Sequence, residues 1–262
     1  MTAAFSLLRA LRGEYPQRSE TVPCAEHGGW QRTVYLEHGA ELGRYPKSCP
    51  ACAAAQRRQL EAQAARQRDE ALLALRLAAA QLPERFTHAT FDNYDPAHNA
   101  QALERLRDYA ARWPAQCGTG ESLVLLGPVG TGKTHLAVAL LRVVITRGGN
   151  ARYCTVLELL REVRATWRNR AGRNEQELID HFAGVQLLAI DEAGAQYGSD
   201  GERLVLFEIL NKRYERLLPS LICGNASLEE LERCLDARSV DRLRENGGRA
   251  VVLGGPSWRR GR

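Results

Sequence analysis

The sequence contains very little lysine and no long apolar segment. Its positive charge comes almost entirely from arginine, because lysine occurs only at Lys47, Lys133 and Lys212. No apolar run approaches the about 20 residues of a membrane-spanning helix, so we expect no membrane partner. The first residues also lack the basic start, long apolar centre and cleavage site of a signal peptide. Together with the glycine-rich phosphate-binding motif described below, these absences predict a cytoplasmic protein.

Disulfide bonds are not expected either, because the seven cysteines are an odd number and thiols stay free in the reducing compartment expected for this protein. The chain has 262 residues, of which 44% are hydrophobic and 26% charged, so it can form a real core. That length allows one large domain or two smaller ones. The net charge of +5 is a mild bias. Composition alone therefore predicts a folded protein, and the motifs must indicate its function.

One glycine-rich stretch, from Gly127 to Thr134, has the sequence and context of a phosphate-binding P-loop. It lies between an apolar run that predicts a strand and an apolar pattern that predicts a helix. Glycines let successive backbone N–H groups face an anion, and the helix adds its positive end. We expect Lys133 to reach the β- and γ-phosphates of ATP and the Thr134 hydroxyl to bind Mg²⁺. The expected nucleotide-binding residues here are Gly127, Pro128, Val129, Gly130, Thr131, Gly132, Lys133, Thr134 and His135.

A second apolar run, residues 185–190, ends in two adjacent acids, Asp191 and Glu192. This pattern is typical of a Walker B strand. We expect Asp191 to hold Mg²⁺ through water and Glu192 to position or activate the attacking water. Adjacent carboxylates beside a nucleotide are unfavourable without a metal ion, which favours this interpretation over a simple pair of charges. Asn225, after a later short apolar run, is a weaker candidate for orienting the same water.

Predicted strands alternate with predicted helices in the larger part of the chain. The strands are at 123–126, 151–155, 185–192, 221–225 and 249–253. Their apolar character predicts an α/β fold in which helices cover both faces of a parallel sheet.

The N-terminal part contains a potential metal site. Cys24 and His27 form one closely spaced pair, and Cys49 and Cys52 form another, separated by a loop-like stretch. Three thiolates and one imidazole match tetrahedral Zn²⁺, and a site with four protein ligands is structural. Such a site can fold a segment too small for a core of its own. His38 is a substitute ligand without paired spacing.

Residues 53–82 are rich in Ala, Gln, Arg and Leu and lack Gly and Pro, which predicts a long helix. It is either a connector that also binds a partner or a helix packed on its own domain. We therefore expect a zinc-binding segment at 1–55, a helical linker at 56–85 and an ATPase domain at 86–262. Within the last, Asp95-Pro96 predicts the start of a further helix.

From about Phe91 to Arg259 the chain resembles the DnaC-type (DnaC/DnaI-like) helicase loaders of the AAA+ class. The P-loop and the Walker B strand are shared widely, but Asp-Arg-Leu-Arg at 241–244 and Ser-Trp-Arg at 257–259 are more specific. The resemblance implies an AAA+ ATPase that loads a DnaB-type replicative helicase onto single-stranded DNA during replication initiation. ATP and Mg²⁺ would be its cofactors. It also implies self-association into a ring or spiral, and helicase binding through the N-terminal region.

The same resemblance implies roles for individual residues. Asn225 would be sensor 1, Arg242 an arginine finger acting in trans, and Arg259 sensor 2. Spacing alone does not assign these arginine roles. In that family, a helix between the second strand and the Walker B strand helps to hold DNA. The corresponding DNA contacts here are Trp167, Arg168 and Arg170, with Tyr197 as a weaker candidate, and a core position for Trp167 is the alternative.

Two other functions fit parts of the sequence. An IstB-type transposition helper shares the ATPase motifs and would assemble on duplex DNA, but it generally lacks the zinc segment. A nucleotide-gated adaptor would bind ATP without hydrolysing it. The intact set of Lys133, Thr134, Asp191 and Glu192 argues against the adaptor.

Overall fold

The structure, a computed structural model, falls into two compact units, Met1–Ala71 and Leu72–Arg262. None of the described helices is long and apolar enough to span a membrane. The described residues are 15–97, 99–115, 117–168, 174–194, 200–225 and 227–258.

The first unit contains a three-stranded antiparallel sheet formed by β1 (Gln17–Cys24), β2 (Gly28–Glu37) and β3 (Ala40–Tyr45) in that order. The prediction of a loop-like stretch between the two metal-ligand pairs was therefore wrong. These strands are joined across the sheet by polar pairs such as Arg32 with Glu20. Polar cross-strand pairs stabilise a sheet without producing the alternation of apolar residues that identifies a strand in a sequence.

A long helix, α1 (Pro50–Ala79), follows this sheet, and the boundary between the two units falls within it, after Ala71. The predicted helix is confirmed, although it begins at a proline and ends before residue 82. Proline is well tolerated in the first turn because its missing N–H would have no helical partner there. No residue of α1 is buried, and Leu75 is 67% exposed.

The second unit is built on a five-stranded parallel sheet in the order β5-β6-β7-β4-β8. This arrangement confirms the predicted α/β fold. The strands are β4 (Leu123–Leu126), β5 (Ala151–Thr155), β6 (Leu187–Ala193), β7 (Ser220–Gly224) and β8 (Arg249–Val252). The helices of this unit are α2 (Ala100–Ala111), α3 (Lys133–Thr146), α4 (Val156–Arg168), α5 (Glu175–Gly184), α6 (Asp200–Glu215), α7 (Leu228–Leu235) and α8 (Ala237–Arg244).

Successive residues of the central strands point into two separate cores. Leu125 of β4 packs in a core with α2 and α3, whereas Val124 packs in a second core with α4, α5, α6, α7 and α8. Both faces of the sheet are therefore covered, as a parallel sheet with apolar strands requires.

The helix predicted to start at Asp95-Pro96 begins only at Ala100. The Asp95 carboxylate instead accepts a hydrogen bond from the Ala97 N–H at 2.9 Å, which forms a local turn. Asn99 then exchanges two hydrogen bonds with the backbone of Gly254. Short polar side chains that bond to nearby backbone compete with helix formation, which explains the later start.

A buried arginine stabilises the sheet at the end opposite the P-loop. Arg213 on α6 is 1% exposed and donates hydrogen bonds to the Ser220 hydroxyl and to the carbonyls of Phe182, Val185 and Pro219. Burial lowers the pKa of its guanidinium, but these acceptors compensate the charge in place of a carboxylate. The starts of β6 and β7 are thereby held together.

Candidate nucleotide and metal sites

The glycine-rich loop between β4 and α3 is closely packed against two distant segments. Gly130 and Gly132 have φ angles of 84° and 94°, which favour glycine. A Cβ atom on Gly130 would lie 2.0 Å from the Ser257 hydroxyl oxygen, and one on Gly132 would lie 2.5 Å from the Tyr94 ring. Both glycines are therefore required by the backbone conformation and by the neighbouring side chain.

Lys133, the first residue of α3, is buried with its ammonium group directed back onto the loop. It donates to the carbonyls of Gly127 at 2.7 Å and Pro128 at 2.8 Å. The Thr131 hydroxyl also donates to the Pro128 carbonyl, at 2.9 Å. The lysine charge is thus held within the loop, where it can exchange carbonyl contacts for phosphate contacts.

The oxygens expected to bind Mg²⁺ meet at the end of β6. The Thr134 hydroxyl donates to Oδ2 of Asp191 at 2.7 Å, and the Glu192 N–H donates to Oδ1 at 2.7 Å. This arrangement is compatible with Thr134 as a direct Mg²⁺ ligand and Asp191 as a group that holds the ion through water. Asp191 is buried, so its carboxylate attracts a nearby cation more strongly than it would in water.

Glu192 and Asn225 face the same cavity from the ends of neighbouring strands. Pairing of β6 with β7 is interrupted between Ile190 and Ala193, and Glu192 there has φ 60°. A left-handed conformation is unfavourable for a glutamate, and strain of this kind concentrates at functional sites. Both side chains are exposed, as reaction with water requires.

The cavity beside the P-loop has a volume of about 560 Å³, within the range of small-molecule sites. Part of its lining, the segment that precedes α2, carries no motif that would identify it in the sequence. The Tyr94 hydroxyl donates to the Thr131 carbonyl at 3.0 Å, and His135 donates from Nε2 to the Thr90 carbonyl at 2.9 Å. The additional lining residues are Arg85, Phe86, Asn93, Tyr94, Asp95 and Trp258.

Of the two arginines expected at the nucleotide, Arg242 is not among the residues that line this cavity. Its guanidinium carbon lies 5.0 Å from the ring centre of Phe207 and 5.5 Å from that of Tyr214. Its Nη1 atom is buried without a hydrogen-bond partner among the described residues. Arg259 lies outside the described part of the chain. The roles of both arginines stay predictions.

Trp167, one of the expected DNA contacts, lies in the last turn of α4 and is 53% exposed. Its indole N–H donates to the carboxylate of Glu175. This exposure argues against a core position. The Arg168 side chain, Arg170 and Tyr197 lie outside the described residues, so those three contacts stay predictions.

In the first unit, the four predicted zinc ligands come together. Their ligand atoms, from Cys24, His27, Cys49 and Cys52, all lie within 4.8 Å of one another. The Sγ atoms of Cys24 and Cys52 are 3.5 Å apart, and His27 Nδ1 lies 3.7 Å from the first and 3.3 Å from the second. His38 lies in the turn between β2 and β3, outside this cluster.

These distances fit zinc and exclude a disulfide. Zinc bound to sulfur at about 2.3 Å in tetrahedral geometry places its ligand atoms about 3.8 Å apart, whereas a disulfide needs about 2.05 Å. The hydrogen bond with His27 lowers the pKa of the Cys24 thiol to about 6. The hydrogen bond with Cys24 raises the pKa of the Cys52 thiol to about 12. A divalent cation would remove this conflict by stabilising both thiolates.

Comparison with known proteins shows the family to which the chain belongs. Residues 56–245 match the model of a family described as IstB-like ATP binding protein. The chain belongs to the IstB/DnaC family of ATP-binding proteins. Its sequence is 30% identical over 174 residues to the replicative helicase loader DnaC of Escherichia coli K12, which covers 66% of this chain and 69% of that protein. The predicted resemblance is thus confirmed.

Solved structures of the IstB/DnaC family agree with the fold. A crystal structure of the DnaC helicase loader matches with a TM-score of 0.58 and 24% identity, covering 65% of this chain and 99% of that one. A crystal structure of DnaI matches with a TM-score of 0.58 and 23% identity, covering 70% of this chain and 98% of that one. The second unit therefore shares the fold of these proteins, and the match to a family of ATP-binding proteins supports the expected ATPase activity.

Proposed function

We propose that this protein uses ATP to load a DnaB-type replicative helicase onto single-stranded DNA during replication initiation. The observation that carries the proposal is the match to a replicative helicase loader, which spans 66% of this chain and 69% of that protein. The convergence of the motif residues at the expected ATP site supports it. Such a loader acts on replicating bacterial or phage DNA, so the proposed location is the cytoplasm. The boundaries 1–55, 56–85 and 86–262 for its three parts are proposed with it.

In this proposal, the ATP site works as follows. With ATP bound, Lys133 would exchange the loop carbonyls for the β- and γ-phosphates. Thr134 and Asp191 would hold Mg²⁺, which would supply charge neutralisation at the phosphates. Glu192 takes a proton from the attacking water, and Asn225 orients that water. Thr134 and Asp191 are hydrogen-bonded to each other, and Glu192 and Asn225 line the open cavity beside them.

The site is completed from a neighbouring copy of the protein. Arg242 does not line the cavity of its own chain, which is compatible with a role as an arginine finger in trans. Arg259 acts as sensor 2. In support of this role, the backbone N–H of the preceding residue, Trp258, donates to the Gly130 carbonyl of the P-loop at 3.1 Å. ATP hydrolysis would then depend on assembly into a ring or spiral.

Single-stranded DNA is held by α4 and the residues after it. The exposed indole of Trp167 offers a stacking surface for a base, and Arg168 and Arg170 provide charge for the backbone. Tyr197 is the weaker contact. The first unit binds the helicase. Zinc held by Cys24, His27, Cys49 and Cys52 would give its small polar sheet the fixed shape that such binding needs.

A direct test is to mix the full-length protein with the hexameric replicative helicase of the same organism and a circular single-stranded DNA. We expect a helicase–loader complex, and transfer of the helicase to the DNA circle only when ATP is present. Lys133→Ala serves as the control that cannot use ATP. The absence of any complex at micromolar concentrations would refute the proposal.

The transposition function is the second candidate, because the matching family model is described by IstB. It makes an opposite prediction about DNA. An IstB-type helper assembles on duplex DNA in the presence of ATP, whereas a loader prefers single strands. ATP-dependent sedimentation on duplex and single-stranded DNA of equal length distinguishes the two.

A further inference from the structure

A tyrosine on the strand next to the Walker B strand contacts the proposed magnesium ligand. Tyr153 lies on β5 and pairs with Ala189 on β6. Its hydroxyl group donates to Oδ2 of Asp191 at 2.9 Å, and both residues are buried, with exposures of 6% and 4%. A hydrogen bond to a buried carboxylate is stronger than one between neutral groups.

The carboxylate of Asp191 has three donors, and they do not have the same relation to a metal ion. The Thr134 hydroxyl is itself an expected Mg²⁺ ligand, because its oxygen can bind the ion through a lone pair while its proton stays on Asp191. The Glu192 N–H and the Tyr153 hydroxyl contact the carboxylate without being metal ligands, so they persist when the ion binds. Tyr153 is therefore the one side chain shown to donate to Oδ2, among the described residues, that is not itself an expected metal ligand.

The position of this tyrosine is fixed by the backbone. Its N–H donates to the carbonyl of Ala80 at 2.8 Å, on the side of β5 away from β6, and its strand pairs with β6 on the other side. The phenol donates its one hydrogen bond to this carboxylate in a fixed direction.

We propose that Tyr153 is a positioning residue that orients the carboxylate of Asp191 for Mg²⁺ bound with ATP. This inference rests on the proposed role of Asp191 as a magnesium ligand. Groups that hydrogen-bond to a metal ligand typically change metal affinity about 10-fold to 100-fold when they are removed. Because the Glu192 N–H remains in place, we expect the loss of the phenol to weaken Mg²⁺ binding about 10-fold.

The test variant is Tyr153→Phe, and the chain offers a matched control. Tyr109 on α2 is also buried, at 1% exposure, and its hydroxyl donates to the backbone carbonyl of Glu121 at 2.8 Å. Glu121 precedes β4, so this bond lies at the opposite end of the strand from the P-loop. Tyr109→Phe therefore removes a buried phenol hydrogen bond of the same kind without touching the metal site.

The measurement is a titration with Mg²⁺ of the full-length protein bound to a fluorescent ATP analogue, in a Glu192→Gln background that prevents turnover. We expect the Mg²⁺ concentration at half-saturation to rise about 10-fold for Tyr153→Phe and to stay unchanged for Tyr109→Phe. Nucleotide affinity without Mg²⁺ should be the same in both. Thermal unfolding of each variant verifies that the fold is retained, and a repeat with Mn²⁺ as the titrant provides a second measurement.

The outcomes separate this inference from the proposed function. An equal Mg²⁺ dependence in Tyr153→Phe and Tyr109→Phe, with Asp191→Ala abolishing that dependence, overturns the role of Tyr153 alone. A Mg²⁺ dependence that survives Asp191→Ala overturns the magnesium site itself. A loss of nucleotide affinity without Mg²⁺ in Tyr153→Phe also refutes the inference, because it indicates a general packing role.

Discussion

The close contact between the P-loop and Ser257 gives a prediction whose size follows from the structure. Replacing Gly130 with alanine has two costs. The first is backbone strain, because φ is 84° and a left-handed conformation costs an L-residue about 1–2 kcal/mol. The second is steric, because the new Cβ would lie 2.0 Å from the Ser257 hydroxyl oxygen, and overpacking typically costs about 1–3 kcal/mol.

A substitution at Gly118 isolates the backbone strain from the steric cost. Its φ is 95°, but a Cβ there would meet nothing within 4 Å. We expect Gly118→Ala to lower the free energy of unfolding by about 1–2 kcal/mol, through strain alone. Gly130→Ala should cost about 1–3 kcal/mol more, and it should also weaken ATP binding, because the loop and the Ser-Trp-Arg segment are pushed apart.

The assays are urea unfolding and binding of a fluorescent ATP analogue. Adding Ser257→Gly to Gly130→Ala removes the hydroxyl and its Cβ, so the double variant should recover most of the steric cost and retain the strain. The reasoning fails if Gly130→Ala and Gly118→Ala lose the same stability, or if Gly118→Ala weakens ATP binding equally.

Three further predictions concern other parts of the chain. Glu192→Gln should keep ATP bound and lower turnover about 100-fold or more, because a positioned base is lost. Cys49→Ser should lower the zinc content from about one per chain and destabilise the first unit, as metal analysis and circular dichroism would detect. Trp167→Ala should weaken single-stranded DNA binding by about 1–3 kcal/mol in fluorescence anisotropy, with ATP turnover in the absence of DNA unchanged.

Each of these has a result that contradicts it. Unchanged turnover in Glu192→Gln would remove this residue from the hydrolysis step. Native protein purified without chelator that contains well under one zinc per chain would rule out the metal site. Equal DNA affinity for Trp167→Ala and the native protein would leave its exposed indole without a role in DNA binding.

Features that depend on local sequence were predictable. The P-loop is contiguous, and its apolar strand and helix flank it directly, so Gly127–Thr134 could be identified without tertiary information. The metal ligands come in two closely spaced pairs, which also limits their geometry before folding. The α/β class followed from apolar runs of strand length that alternate with helices.

Features with weak local signals were not predictable. The sheet of the first unit is held by polar pairs such as Arg32 with Glu20, and these resemble an ordinary polar loop in the sequence. The later start of α2 depends on Asn99, whose partner Gly254 is 155 residues away along the chain. The residues next to Asn99 in the sequence do not indicate its contact with Gly254.

The sequence by itself determined which chemistry we expect of this protein: phosphate and Mg²⁺ binding, water activation and zinc ligation are each indicated by a short motif. Only the tertiary structure decided how those motifs are supported. Tyr94 meets Thr131 across 37 residues, and Tyr153 meets Asp191 across 38. The physical reason is that a parallel sheet brings the carboxyl ends of distant strands to one edge, where side chains without a motif of their own become part of the site.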